Sequence, residues 1–232
     1  MKYNIIGDSD CPLAVIHLDQ GEKVNIERGS MAYTSNVSIE GKMNSSGKGI
    51  AGVLGAIGRS ITSGESMFIT EATGMEPDSE IGIAPAIPGK ITALEVSGNT
   101  QYRLNTGAFV ACDSSVNYVM KSQSLGKAFF GGTGGLFVME TQGNGTVLVS
   151  AFGDLIPIKV TPDKPIVIDN DHVVCWDASL DYSIEIASGI FGFTTGEGLV
   201  NKFCGDGIVL IQTRNIRSLA DAVYPFIAQK NS

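Results

Sequence analysis

Two features of this chain have residue types and spacing that could do chemistry. Residues 47–52 read GKGIAG and fit G-x-G-x-x-G, the glycine spacing that lets a backbone cradle a dinucleotide pyrophosphate. Asp113 and Asp177 each follow an apolar run at corresponding places in the chain, and two such carboxylates are raw material for acid–base catalysis. Neither survives its context. A dinucleotide fingerprint follows a buried strand, opens a helix, and has an acidic residue about 20 residues on. Here the preceding stretch, IEGKMNSS, is polar, and Glu65 and Glu71 flank a glycine turn instead of ending a second strand. The GKGIAG match is therefore read as an accident of a glycine-rich chain. An Asp just past a strand is expected to accept backbone N–H bonds in a turn, and Glu65 and Glu197, each after a glycine, to be hairpin residues.

The other reactive residues are few. The only histidines are His17 and His172, with no H-x-H pair, and each is expected to be structural or solvent-facing. Cys11, Cys112, Cys175 and Cys204 lie far apart, with no C-x-x-C, so neither a zinc nor a redox signature is present. No G-x-S-x-G elbow and no P-loop spacing occurs. The expectation is a protein without catalytic residues, cofactor or metal.

Composition narrows the class. The 232 residues include 29 glycines, 43% hydrophobic and only 17% charged residues, which favours a β-rich globular body with a substantial core. The net charge of −8 repels phosphate backbones, so no nucleic-acid partner is expected. The longest apolar stretch, IAGVLGAIG, has nine residues, whereas a bilayer span needs about 20. No signal peptide is visible, and a reducing, cytoplasmic setting is the simplest expectation.

The elements repeat along the chain. GKITALEVSGNTQYRLNTGAFVACDSSVNY, from Gly89, aligns without a gap on GDLIPIKVTPDKPIVIDNDHVVCWDASLDY, from Gly153, at an offset of 64. LAVIHLDQGEKVNIERGSMAYTS joins at an offset of 78, placing Gly29 on Gly107 and Met31 on Phe109. A second block recurs at Gly134 and Gly196, with a weaker copy over Gly64–Gly74. The chain therefore reads as one compact all-β domain over 1–232. It comprises three repeats, approximately 13–90, 91–154 and 155–213, and a C-terminal helix over 215–229.

Within each repeat, ITALEV and LIPIKV alternate as half-buried strands do, and TVLVSA and IVLIQT are β-branched runs. GNG (143–145) and GDG (205–207) between such runs suggest tight hairpins. Three β-sandwich-like units can hide their strand edges around a pseudo-threefold axis, each covering the next. In the tail, Ile216, Leu219, Ala220 and Val223 share one helical face. Asn215 is expected to cap this helix, Pro225 to end or kink it, and its face to pack over an open end of the body.

The alignment places about nine extra residues between Ser35 and Gly64, and GKGIAGVLGAIGRS falls among them. There Ile50, Val53, Leu54 and Ile57 approach helical spacing. They either pack on the body or contact another subunit, a protein partner or a membrane surface.

The ordered series GESMF, PGKI, GTGGLF, GNGTVLVSAFG, TTGEGLV and GDGIVLIQTRNIRSLA covers nearly the whole chain. It resembles the bacterial branch of the mitochondrial biogenesis ("altered inheritance of mitochondria") proteins. That resemblance implies a fold like the tryptophan RNA-binding attenuation protein, repeated three times around a pseudo-threefold axis, and supplies no catalytic residues to carry over. The functional expectation is a non-enzymatic binding or scaffold protein, oligomeric, working in the cytoplasm or at a membrane periphery. The alternative is a small-ligand-binding protein or cryptic enzyme with a pocket between repeats.

Overall fold

The computed structural model describes residues 1–7, 10–43, 68–122, 137–186 and 199–227. Nineteen strands are named among them. The first seven are β1 (Lys2–Ile6), β2 (Leu13–Leu18), β3 (Lys23–Glu27), β4 (Met31–Ser35), β5 (Val37–Met43), β6 (Phe68–Gly74) and β7 (Ser79–Ile83). Then come β8 (Ile91–Val96), β9 (Tyr102–Asn105), β10 (Phe109–Asp113), β11 (Val116–Ser122), β12 (Phe137–Gly143) and β13 (Gly145–Ser150). The last six are β14 (Leu155–Val160), β15 (Ile166–Asp169), β16 (Val173–Asp177), β17 (Asp181–Ile186), β18 (Leu199–Cys204) and β19 (Gly207–Gln212). One helix, α1 (Ile216–Val223), follows. The fold is all-β with a short C-terminal helix.

The expected strands form where apolar and β-branched residues allow them. In ITALEV, Ile91, Leu94 and Val96 are buried. The continuous apolar runs of β10 and β16 are buried over four of their five residues, as strands covered on both faces must be.

Four sheets result, with orders β1-β2-β7-β4, β5-β6-β3-β10-β13-β8, β11-β12-β9-β16-β19-β14 and β15-β18-β17. Raising each strand number of the second sheet by six reproduces the third. The same shift carries β2-β7-β4 onto β8-β13-β10, and β9-β12-β11 onto β15-β18-β17. Every six-strand block is thus divided between two sheets. Two junctions join consecutive blocks. At β3–β10, Ala111, Cys112 and Asp113 face Ile26, Asn25 and Val24. At β9–β16, Cys175, Trp176 and Asp177 face Leu104, Arg103 and Tyr102. Among the described residues no ladder joins β4 to β15, and each has one edge without a strand partner.

The core follows the sheets. One cluster, including Ile16, Val24, Ile81 and Leu148, draws on the first two sheets. A second, including Leu94, Phe109, Tyr118 and Val174, draws on the two six-stranded sheets. A third, including Trp176, Leu180, Phe203 and Val209, draws on the last two.

GNG and GDG are not hairpins. Gly143 ends β12 in the third sheet and Gly145 begins β13 in the second, so the chain changes sheets between them. The GDG corner does the same between β18 and β19. Glycine is required by close approach: a Cβ on Gly145 would sit 2.8 Å from an Asp113 carboxylate oxygen.

Gly89 and Gly153 form a parallel bridge that ties the start of β8 to the start of β14. The Lys90 N–H donates to the Gly153 carbonyl at 2.9 Å, and the Gly153 N–H to the Pro88 carbonyl at 3.0 Å. A Cβ on Gly89 would overlap the Ala151 carbonyl, a backbone atom that cannot swing aside. Gly89→Ala is expected to cost about 3 kcal/mol, read as a lower urea midpoint at unchanged m-value.

Candidate interaction surfaces

Ile50, Val53, Leu54 and Ile57 lie outside the described residues, as do GKGIAG, Glu65 and Glu197. The strands on either side of residues 44–67 are described, and β5 and β6 pair from Val37–Gly74 to Met43–Phe68. Residues 123–136 and 187–198 likewise connect paired strands, β11 to β12 and β17 to β18. The three glycine-rich segments therefore hold one place in the strand order.

The recurring aspartates are structural. Asp113 Oδ2 accepts from the Thr146 N–H at 2.7 Å, and Asp177 Oδ2 from the Ile208 N–H at 2.8 Å. Each carboxylate pins the first turn of backbone after a sheet-changing corner. The two lie in different sheets and do not form a dyad.

A charged cluster not anticipated from the sequence spans β9, β11 and β12. Glu140 accepts from Arg103 Nε at 2.7 Å and from Lys121 Nζ at 2.6 Å. Arg103 also donates to the Leu180 carbonyl at 3.2 Å, and its guanidinium lies 5.4 Å from the Tyr182 ring centre. Burial alone would raise the Glu140 pKa. The hydrogen bonds and charges of Lys121 and Arg103 outweigh burial and hold the carboxyl below its ordinary range. Its members come from three strands, so no local pattern announces the group.

Both histidines are engaged by neighbouring groups. His172 Nδ1 is 2.7 Å from the Gln212 carbonyl, so that nitrogen carries the proton. Its Nε2 then accepts from the Asn215 amide at 2.9 Å. His172 is a splint between the end of β19 and the cap of α1. His17 belongs to a polar row across the first sheet. The row runs from Asn4 to His17 at 3.0 Å, from His17 to Glu80 at 3.4 Å, and from Tyr33 to Glu80 at 2.5 Å. Cys112 and Cys175 are buried in the central core, and burial pushes the Cys175 thiol far up, which leaves it inert.

The helix begins as expected: Asn215 Oδ1 accepts from the Ser218 N–H at 2.7 Å. It ends earlier than residue 229. A 3-10 turn at Tyr224–Phe226 follows α1, where Pro225 lacks the N–H to continue it. The expected packing of its apolar face over the body is not what the structure has. Ile216, Leu219 and Val223 are exposed, and Phe226 is 86% exposed. The attachments lie at the N-terminal end, through Asn215–His172 and an Arg217–Asp171 ion pair at 3.2 Å. Beside Leu219 lies a groove of about 470 Å³, bordered also by Phe152, His172 and Arg214. It sits between the last block and the helix. No helix among the described residues is long and apolar enough to cross a membrane.

Residues 3–214 match the family model described as Mitochondrial biogenesis AIM24. An uncharacterised protein of Streptococcus pyogenes serotype M6 is 45% identical over 230 residues, covering 98% of this chain and 91% of its own length. A crystal structure of a Streptococcus pyogenes protein superposes with a TM-score of 0.80 at 41% identity, covering 97% of this chain and 99% of that one. The chain belongs to the Mitochondrial biogenesis AIM24 family, in agreement with the resemblance read from the glycine motifs.

Two measurements test the roles assigned to these polar groups. Asp177→Ala should lower stability by about 2 kcal/mol in urea melts, because a charge-assisted bond to the Ile208 N–H is lost. Glu140 contributes stability that is present above its ordinary pKa of 4.5 and lost as pH falls through its lower folded value. Glu140→Gln should flatten that acid limb of the stability–pH curve; an unchanged limb would refute the assignment.

Proposed function

We propose that this member of the AIM24 family is a non-enzymatic binding or scaffold protein that works by surface contact and associates with itself. The observation that carries this reading is the apolar side of the C-terminal segment. Ile216, Leu219, Val223, Tyr224, Phe226 and Ile227 are all exposed within twelve residues of continuous chain. A concentrated apolar patch of this kind marks a contact site more often than idle surface. The polar groups with chemical potential serve the architecture: the paired aspartates hold corners and His172 holds the helix cap. From its sequence, the segment carrying Ile50, Val53, Leu54 and Ile57 is assigned the same contact role. The three blocks act as one body that presents these surfaces.

The test uses two double variants, Leu219→Asp with Val223→Asp and Val53→Asp with Leu54→Asp. Each buried aliphatic side chain contributes about 1.5 kcal/mol or more, so each pair should weaken association at least about a hundredfold. Sedimentation velocity reads self-association, and flotation with anionic liposomes reads a membrane contact. If both variants match the wild type in both assays, the contact assignment fails.

A further inference from the structure

We propose that β4 of one copy of this chain pairs with β15 of a second copy, joining the first sheet of one molecule to the last sheet of the next. This deepens the binding-or-scaffold reading by naming a partner, and it rests on strand order instead of on the helix.

Four observations carry it. The first is topological. Within the chain, β3 pairs with β10 and β9 pairs with β16. Shifting by six strands, the next such pairing is β15 with a strand standing where β4 stands. Both strands exist, and among the described residues neither has a strand partner on that edge.

The second is burial. Four of five residues are buried in β10 and in β16, whereas all five are exposed in β4. On the other side, Val167 in β15 is 58% exposed, whereas its counterpart Asn25 in β3 is buried.

The third is the treatment of edges. Proteins blunt exposed strand edges with charge or proline. Five of the six other strands at sheet ends carry such a residue inside the strand, at Glu40, Glu95, Lys121, Pro157 with Lys159, and Glu185, and β1 carries Lys2 at its first residue. β4 reads MAYTS, with neither charge nor proline, and β15 reads IVID, with charge only at its last residue.

The fourth is conserved volume between blocks. Ala111 faces Leu148 and Cys175 faces Leu210, one small residue beside one large. At the matching place Tyr33 faces Gly82, with the sizes exchanged. A Cβ on Gly82 would strike the Tyr33 ring. In the two later blocks this layer packs on the preceding block, through Leu148 and through Leu210. Keeping its volume in the first block suits the same contact with a preceding molecule.

The register follows from the two existing junctions: Tyr33 opposite Ile168, Thr34 opposite Val167, and Ser35 opposite Ile166. The contact is head-to-tail, so it builds closed rings or open filaments and not a twofold dimer.

The experiment uses the full chain with Cys11→Ser and Cys204→Ser, to remove the two cysteines outside the core. Thr34→Cys with Val167→Cys, oxidised at neutral pH, should give a non-reducing ladder at multiples of 24.4 kDa. A cross-linked single chain would show closure within one molecule and overturn the proposal, as would no cross-link at all. In parallel, Val167→Lys and, separately, Thr34→Lys should abolish the assembly seen by sedimentation while the melting temperature holds, since both side chains are exposed in the single chain. If Leu219→Asp with Val223→Asp dissolves the assembly and both lysine variants leave it intact, edge pairing fails and the apolar contact reading stands. If the wild type sediments as a single chain and binds no liposomes, both fail.

Discussion

The rest of the structure depends on how the backbone of each six-strand block is satisfied. Three strands of a block lie in one sheet and three in the next. A strand such as β3 can pair β6 on one side, but its other edge is completed only by β10, which belongs to the following block. Buried N–H and C=O groups need partners, so a block of this design cannot be a self-sufficient bead. The cores tell the same story from the side chains. Leu148, in the middle block, packs with Ile16 and Val24 of the first, and Val138 packs with Trp176 and Phe203 of the last. Folding should therefore be cooperative across blocks despite the repetition.

Dividing a block between sheets forces the chain to cross from one sheet to the other within a residue or two. The two later blocks solve this in one way. A carboxylate at the end of β10 or β16 reaches the N–H after the corner, and a glycine leaves it room. The first block has Ser35 at the end of β4, which cannot reach that far. Its corner is longer, and Ser79 takes over. The Ser79 hydroxyl accepts from the Glu76 N–H and lies within hydrogen-bond distance of the Asn36 and Glu76 carbonyls, donating its one proton to either. The same geometric problem has been met by different chemistry, which is why the sequence match weakens there.

Much of this fold was legible in the sequence. ITALEV and LIPIKV fall on β8 and β14 with their observed bounds, and the β-branched runs TVLVSA and IVLIQT fall on β13 and β19, which each begin and end one residue earlier. Those signals are local, since they report which face of a strand is buried. The structural role of Asp113 and Asp177 was legible because strand-end aspartates have few other uses. What was not legible was non-local. GNG looks the same in a hairpin and in a sheet-changing corner, because the flanking residues do not say which strands they will pair. Glu140, Arg103 and Lys121 come together from three strands, and His172 meets Asn215 across 43 residues. The helix pattern gave its cap but not its exposure, because amphipathicity shows that a face is apolar and not what covers it.

The distribution of chemistry follows from the same constraint. Where consecutive blocks meet, polar residues are committed to joining strands. Arg103 illustrates this: it binds Glu140 within its sheet, the Leu180 carbonyl beyond it, and lies against Tyr182. Only the first and last blocks lack a neighbour. The unblunted edges of β4 and β15 are there, and α1 extends from the last block with its apolar side uncovered. A body assembled by passing strands from block to block thus places its recognition surfaces at the two ends of the array, where the passing stops.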